Sequence, residues 1–467
     1  MHPGARDVID RLTASELSFL WQEAMGWPQE IAALAILDGD GLLDEHGELR
    51  LDDVRSHVSA RLPLVPRLRQ CLHRPRGGLG WPYWADSKSF AIEDHVNTAL
   101  ANGPGDDEGL LRTCERLRRV PFDPTRPLWT MWLLTGLPDG KVGWYVRVHH
   151  SIADGVAGVV ALAAFLDPSP APAAVPVAWR PEPLPTMREL LTDNLRRRYH
   201  EARRGLASLS HPVTTGRGLL RAWPAVRETF TEARAAETSF NRPIGATRHA
   251  ATIASTLEDV KWVAHARGAT VNDVLLASVA GGYRALLRHR GERVDELYLR
   301  TLVPVSLHDE APGSARGNVD AAMIVPLPVG EGDARRRLAT IAADTAIRKR
   351  KARPTADALF RFVALQRAFV HLMPRQRFLN AYVANVPGPP SGLFLIGARV
   401  LRIIPLVPLN ANVSIGVGAL SYDGQFEIAV VADRDLCPDL DVFVQGLRDP
   451  LTALQDDGAA GDLQCAS

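Results

Sequence analysis

The chain is predicted to fold as two α/β halves joined by an exposed linker, and three observations predict it. At 467 residues it is too long for one ordinary hydrophobic core. Strand-like and helix-like apolar patterns alternate at both ends of the chain. Between them, from Asp167 to Pro185, proline and alanine crowd into a stretch that reads as an exposed linker with polyproline character. The expected division is residues 1–166 for the first half, 167–239 for a linker and crossover helices, and 240–467 for the second half.

In order, Ile31 to Leu37 reads as a short apolar strand, and Leu51, Val54, Val58 and Leu62 recur at helical spacing. Pro63 and Pro66 break that pattern. Glu108 to Leu117 is expected to be helical, ended by Pro121. Leu128 to Leu137 and Lys141 to Val148 read as an antiparallel pair turning at Pro138-Asp139-Gly140. Met187 to Glu237 is expected as helical pieces broken near Gly205, Pro212, Gly216 and Pro224. The second half should hold strands over His249 to Thr256, Leu297 to Pro304, Val319 to Val325, Leu393 to Ile404, Val413 to Leu420 and Phe426 to Val431. Helices are expected over Leu257 to Ala266, Val271 to Arg290, Ala334 to Arg350, Ala356 to Leu372 and Leu440 to Leu454.

Composition narrows the function. A hydrophobic fraction of 46% and a charged fraction of 23% belong to a globular protein, and a formal net charge of +1 gives no global field that would select nucleic acid. Cys71, Cys114, Cys437 and Cys465 have no motif spacing, which fits a reducing compartment and no cysteine metal site. The first residues lack an apolar signal region, and no apolar run approaches the ~20 residues of a membrane span. The expectation is a cytoplasmic protein.

The stretch with chemical content is Val146-Arg147-Val148-His149-His150-Ser151-Ile152-Ala153-Asp154-Gly155, leading into an apolar run that reads as a buried helix from Gly155 to Leu166. Asp154 occupies the place of an N-cap. Successive strand residues face opposite ways, so one of His149 and His150 can face a cavity while the other packs. Adjacent strand histidines chelate one ion poorly, and no further ligand stands at a suitable spacing, so no metal is expected. An imidazole titrating near neutral pH suits a general base.

His-His-x-x-x-Asp-Gly between a strand and an apolar helix resembles the motif of the thioester-dependent acyltransferase superfamily. Further segments resemble, in order, the bacterial wax ester synthase/diacylglycerol acyltransferase family: Arg126-Pro127-Leu128-Trp129, Thr270-Val271-Asn272-Asp273-Val274, Gly317-Asn318 with Val325-Pro326-Leu327-Pro328, Asn385-Val386-Pro387-Gly388-Pro389, Ser421-Tyr422-Asp423-Gly424 and Asp433-Arg434-Asp435. The resemblance covers most of the chain. Departures are Glu16 where the family usually carries Asp, Pro28-Gln29-Glu30-Ile31 in place of Met-His-Val-Gly, and Ala384 in place of Ser. They bear on substrate choice more than on chemistry.

The resemblance implies a two-domain chloramphenicol-acetyltransferase-like, condensation-domain-like α/β fold with the active site in a tunnel between the halves. It implies transfer of a fatty acyl group from acyl-CoA, as co-substrate and not bound cofactor, to diacylglycerol or a long-chain alcohol, without a covalent acyl-enzyme. His150 is then the base, with His149, Asp154 and Asn272 beside it in the site. Asn272 would donate to the oxyanion; Asp154, with Gly155, would hold the loop through Arg69, or else Arg67. Asp273 and Asn385 are supporting residues, Asn385 shaping a rigid loop. The run Arg348-Lys349-Arg350-Lys351 is a candidate for the phosphates of coenzyme A. Two other classes stay open: a carrier-protein-dependent condensation or esterification enzyme, and a non-catalytic lipid-binding paralogue. A long-chain acceptor lies in lipid, so peripheral contact with a membrane or lipid droplet is expected, through the arginines, leucines and Trp223 between Leu195 and Trp223.

Overall fold

The structure is a computed structural model that describes residues 9–75, 77, 79–152, 162–171, 179–210, 234–306, 320–351 and 363–465. Helix α1 (Ala14–Ala24) opens on a capping box in which Thr13 and Glu16 each accept the other's backbone N–H. Strand β1 (Glu30–Leu37) follows, then helix α2 (Leu51–Arg61), which turns Val54 and Val58 inward as their spacing predicts. A short ribbon, β2 (Gln70–His73) and β3 (Tyr83–Asp86), stands apart. Strand β4 (Val96–Leu100), helix α3 (Asp107–Arg118) and strand β5 (Trp129–Thr135) form a unit whose two strands are parallel. Strand β6 (Val142–His149) returns antiparallel through Pro138–Gly140, where Asp139 takes φ 58°. Of the expected helix from Gly155 to Leu166, residues 153–161 lie outside the described residues.

Helix α4 (Met187–Ser210) is continuous, where pieces broken near Gly205 are expected. A helical glycine costs only about 1 kcal/mol and ends nothing by itself. The helix docks through Leu190 against Ile9 and Tyr83, and through Asp193 on Arg11. The breaks near Pro212, Gly216 and Pro224 lie outside the described residues.

The second half runs β7 (Arg248–Thr256), α5 (Leu257–Ala266), α6 (Val271–His289), β8 (Tyr298–Ser306), β9 (Asp320–Pro328), α7 (Ala334–Lys351), α8 (Val363–Leu372) and β10 (Ala381–Pro387). Then come β11 (Phe394–Leu395), β12 (Ala398–Leu406), β13 (Ile415–Tyr422), β14 (Gln425–Asp433) and α9 (Leu440–Cys465). Six of these strands make a mixed sheet, β7-β14-β13-β10-β8-β9. Helix α6 is buried along most of its length and meets α9 at Gly282 and Gly446. A Cβ on Gly446 would stand 2.3 Å from that of Ala285, so only glycine allows the approach.

One expectation is corrected here. Leu393 to Ile404 is not one strand but the hairpin β11–β12, turning at Ile396 and Gly397 with φ 52° and 89°. Both turn residues of such a hairpin need positive φ, and an isoleucine there hides the turn inside an apolar run. The first sheet has the order β11-β12-β1-β6-β5-β4, so the later chain lends it two strands. Alternation marks a strand without saying which sheet takes it. Arg402 on β12 rivets the exchange by bonding Asp107 of α3 and Glu427 of β14.

Candidate active site

The histidine pair ends β6 beside the start of β1. Glu30 lies opposite His149 in the ladder, and the His150 N–H donates to the Gln29 carbonyl at 2.8 Å. The buried Gln29 amide donates to the Trp27 carbonyl and to Asn410 Oδ1, tying the turn to the loop before β13. Helix α1 covers the pair with residues one turn apart. Phe19 stacks on the His150 ring, with centroids 4.2 Å apart, and Glu23 Oε2 lies 3.4 Å from His149 Nε2.

The two histidines have different surroundings. His149 is 1% exposed, and its Nδ1 accepts from the Ser151 N–H at 3.1 Å and lies 2.7 Å from Ser151 Oγ. An Nδ1 that accepts leaves the neutral ring's proton on Nε2, toward Glu23. The hydrogen bond and charge of His149 hold the Glu23 carboxyl below its ordinary range. His150 is only half-buried. Strand β6 ends at His149, and His150 is the first residue of the turn that follows, so the two rings part: one is packed and the other half-buried.

Ser151, His149 and Glu23 superficially match a nucleophile, base and acid. The geometry speaks against that use, because Ser151 is as buried as His149 and bonds Nδ1 together with its own backbone N–H, which is a turn contact two residues long.

A buried charge cluster lies beneath the pair on the His149 face. Arg147 donates to Glu30 Oε2 at 3.1 Å, to the carbonyls of Arg118 and Val120, and to Thr130 Oγ1, with its guanidinium over Phe122. Burial raises the Glu30 carboxyl, against the pull of Arg147 and Arg118.

The other expected residues are more scattered. Asp154 and Gly155 lie outside the described residues. Arg67 pairs with Asp10 at 2.8 Å. Arg69 sits 3.9 Å from Asp86 and 4.3 Å over the Trp179 ring, and its Nε and Nη1 have no hydrogen-bond partner among the described residues. Burial lowers its pKa, with Asp86 and Glu182 opposing. Thr270, not Asn272, caps α6. Asp273 accepts from Thr270 N and Oγ1 and from Thr345 Oγ1 at 2.6 Å, a supporting role. Asn272 is half-buried in the first turn, and its side chain makes no hydrogen bond among the described residues. Asn385 belongs to strand β10, pairing with Ala419, and only Gly388 onward leaves the strand. No hydrogen bond joins the side chain of Asn272 or Asn385 to the histidine turn among the described residues. Arg348 is paired with Asp344, and the side chains of Arg350 and Lys351 lie outside the described residues.

Sequence reading passed over Glu23, Gln29 and Glu30 as parts of this cluster, although Phe19 and Glu23 stand at a readable i, i+4 spacing; Ser151 is the turn hydroxyl that its place beside His150 suggests. The Glu23 carboxyl has a folded pKa below its unfolded value. The support it gives His149 is therefore complete above the ordinary carboxylate range and is lost as pH falls through the folded value. Glu23→Gln should lower kcat no more than about fivefold at neutral pH, as loss of a contact worth up to ~1 kcal/mol to a half-exposed carboxylate would. A larger loss in steady-state kinetics would make Glu23 a participant in the chemistry.

The wax ester synthase/diacylglycerol acyltransferase catalytic domain matches residues 12–275, and the C-terminal domain of the same family matches residues 316–455. A Mycobacterium tuberculosis protein that carries a diacylglycerol O-acyltransferase name is 29% identical, over 96% of this chain and 91% of its own. The solved wax ester synthase/diacylglycerol acyltransferase from Marinobacter aquaeolei VT8 superposes with a TM-score of 0.69 at 23% identity, over 96% of this chain and 100% of the other. The starter condensation domain of rhizomide synthetase follows at 0.60 and 14%, over 97% and 94%. These two likenesses bear out the two-domain α/β fold.

Proposed function

Because the chain belongs to the wax ester synthase/diacylglycerol acyltransferase family and is an acyltransferase, we propose that it moves a fatty acyl group from acyl-CoA to diacylglycerol or a long-chain alcohol. The observation that carries the assignment of roles is the unequal pair: His149 has its ring nitrogens directed at Ser151 and Glu23, and His150 stands half-buried against Phe19. His150 takes the hydroxyl proton as the acceptor oxygen bonds to the thioester carbonyl carbon. The C–S bond then breaks, and the proton passes to the departing thiolate of coenzyme A. Asn272 donates to the oxyanion, Asp154 and Gly155 hold the loop with Arg69 as partner, and Asn385 with Pro387-Gly388-Pro389 shapes a rigid loop. A product assay with a panel of acyl-CoAs against diacylglycerol and long-chain alcohols tests the reading. Triacylglycerol or wax ester is the expected product. Turnover only with acyl groups on a carrier protein would favour the condensation-type alternative, and binding without turnover a lipid-binding one.

The acceptor lies in lipid, and no helix among the described residues is long and apolar enough to cross a membrane. Helix α4 supports a peripheral contact by a cytoplasmic enzyme. Met187, Leu191, Leu195 and Tyr199, four apart, are all exposed, and Arg188, Arg196 and Arg198 flank them in the open. Leu219, Leu220 and Trp223 lie outside the described residues. Arginines near an anionic surface add about 1 kcal/mol each, so attachment is reversible and salt-sensitive. The protein should float with anionic liposomes at low salt, and the triple change Leu191→Ser, Leu195→Ser, Tyr199→Ser should abolish flotation. Equal flotation by that variant would assign α4 to a solvated crossover.

A further inference from the structure

We propose that the apolar cavity on the Trp144 and Val146 face of β6 holds the tail of the acyl donor, and that Ala33 and Ala35 set the chain length it accepts. The proposal rests on the acyl-CoA reading above and assigns that substrate's tail a place.

Strand β1 has a neighbour on each side, β12 and β6, and a strand so placed ordinarily carries large branched side chains on its packed face. At two successive positions of that face β1 carries alanine instead. Ala33 lies opposite Val146 and Pro405, and Ala35 opposite Trp144 and Ile403. Among the described residues the missing volume is not filled from above. A cavity with about 490 Å³ of empty space, its open side included, lies over the two alanines and under Leu162, Leu393 and Leu420. Unfilled apolar space costs a fold stability, and two larger side chains would remove it.

The chemistry of the walls and their place on β6 name the occupant. The lining side chains are apolar but for the Trp144 N–H, which already donates to Met131 sulfur. Nothing there could meet the ester groups of a diacylglycerol, so the cavity suits one unbranched hydrocarbon chain. Val146 and Trp144 stand four and six residues before His150, on the face that Val148 shares, which at ~3.3 Å per residue puts the cavity roughly 13–20 Å along the strand from the imidazole. A donor with its thioester carbonyl at His150 sends only its distal carbons there. A short acyl chain ends before the cavity, and a long one crosses it.

The test measures acyl-CoA binding calorimetrically without acceptor, so it reads the cavity whether or not transfer occurs. In Ala33→Leu and Ala35→Leu, the affinity for palmitoyl-CoA relative to octanoyl-CoA should fall tenfold or more, and the melting temperature should hold or rise. Ala33→Val and Ala35→Val should shift the same ratio less, in the same direction, and they carry the test if the leucine variants do not fold. A ratio unmoved in the folded variants overturns the proposal, and so does a shift confined to the chain length of the acceptor alcohol in the ester assay. If the ratio moves but no acceptor is acylated, the cavity assignment stands and the proposed function falls.

Discussion

His150→Ala is expected to lower turnover by about 10²- to 10⁴-fold, the usual contribution of a positioned general base, and to leave the melting curve close to that of the parent. The imidazole is half-buried and stacked against Phe19, so its loss opens little of the core. His149→Ala should behave in the opposite sense. It empties a fully buried site, strands Ser151 and Glu23, and removes an edge contact with Phe122, so stability falls more and turnover less. Ester formation and thermal melting of the two purified variants check both statements. Near-normal turnover in folded His150→Ala protein would contradict the role given to it.

The second large effect is on stability. Glu30→Ala leaves the buried Arg147 guanidinium without its carboxyl partner, and removing one member of a buried pair costs about 3–5 kcal/mol. The carbonyls of Arg118 and Val120 and the Phe122 ring remain to Arg147, so the lower end of that range is expected. Glu30→Gln keeps an acceptor and, because burial already raises the carboxyl, costs less. Urea denaturation should show the midpoint falling in the order parent, glutamine, alanine. Equal midpoints for parent and alanine variant would show that Arg147 is held by the carbonyls alone.

Much of the first sheet was legible because it repeats locally. β5 and β6 alternate apolar residues around a Pro-Asp-Gly turn, α2 spaces its valines by four, and the histidine pair closes a strand. What stayed hidden depends on contacts between distant residues. No period in the sequence assigns β12 to the first sheet, or joins Arg61 to Asp167 across the chain at 2.6 Å with both side chains buried. The same limit applies to Glu30. As a sequence letter it only departs from the family's pattern, and its meaning appears when Arg147 is found beside it on the neighbouring strand. At the site, the two histidines could be read from strand geometry, but helix α1 laying Phe19 and Glu23 over them could not, since α1 reaches them through tertiary packing.

The central claim is direct transfer, with His150 as base and no acyl group ever on the protein. It is tested most directly by mixing stoichiometric radiolabelled palmitoyl-CoA with the enzyme in the absence of acceptor, quenching, and following both free coenzyme A and label on the protein. The account predicts no release of coenzyme A and an unlabelled protein until alcohol or diacylglycerol is added, and then one coenzyme A per ester formed. A burst of coenzyme A equal to the enzyme concentration, with label retained on Ser151, would contradict it.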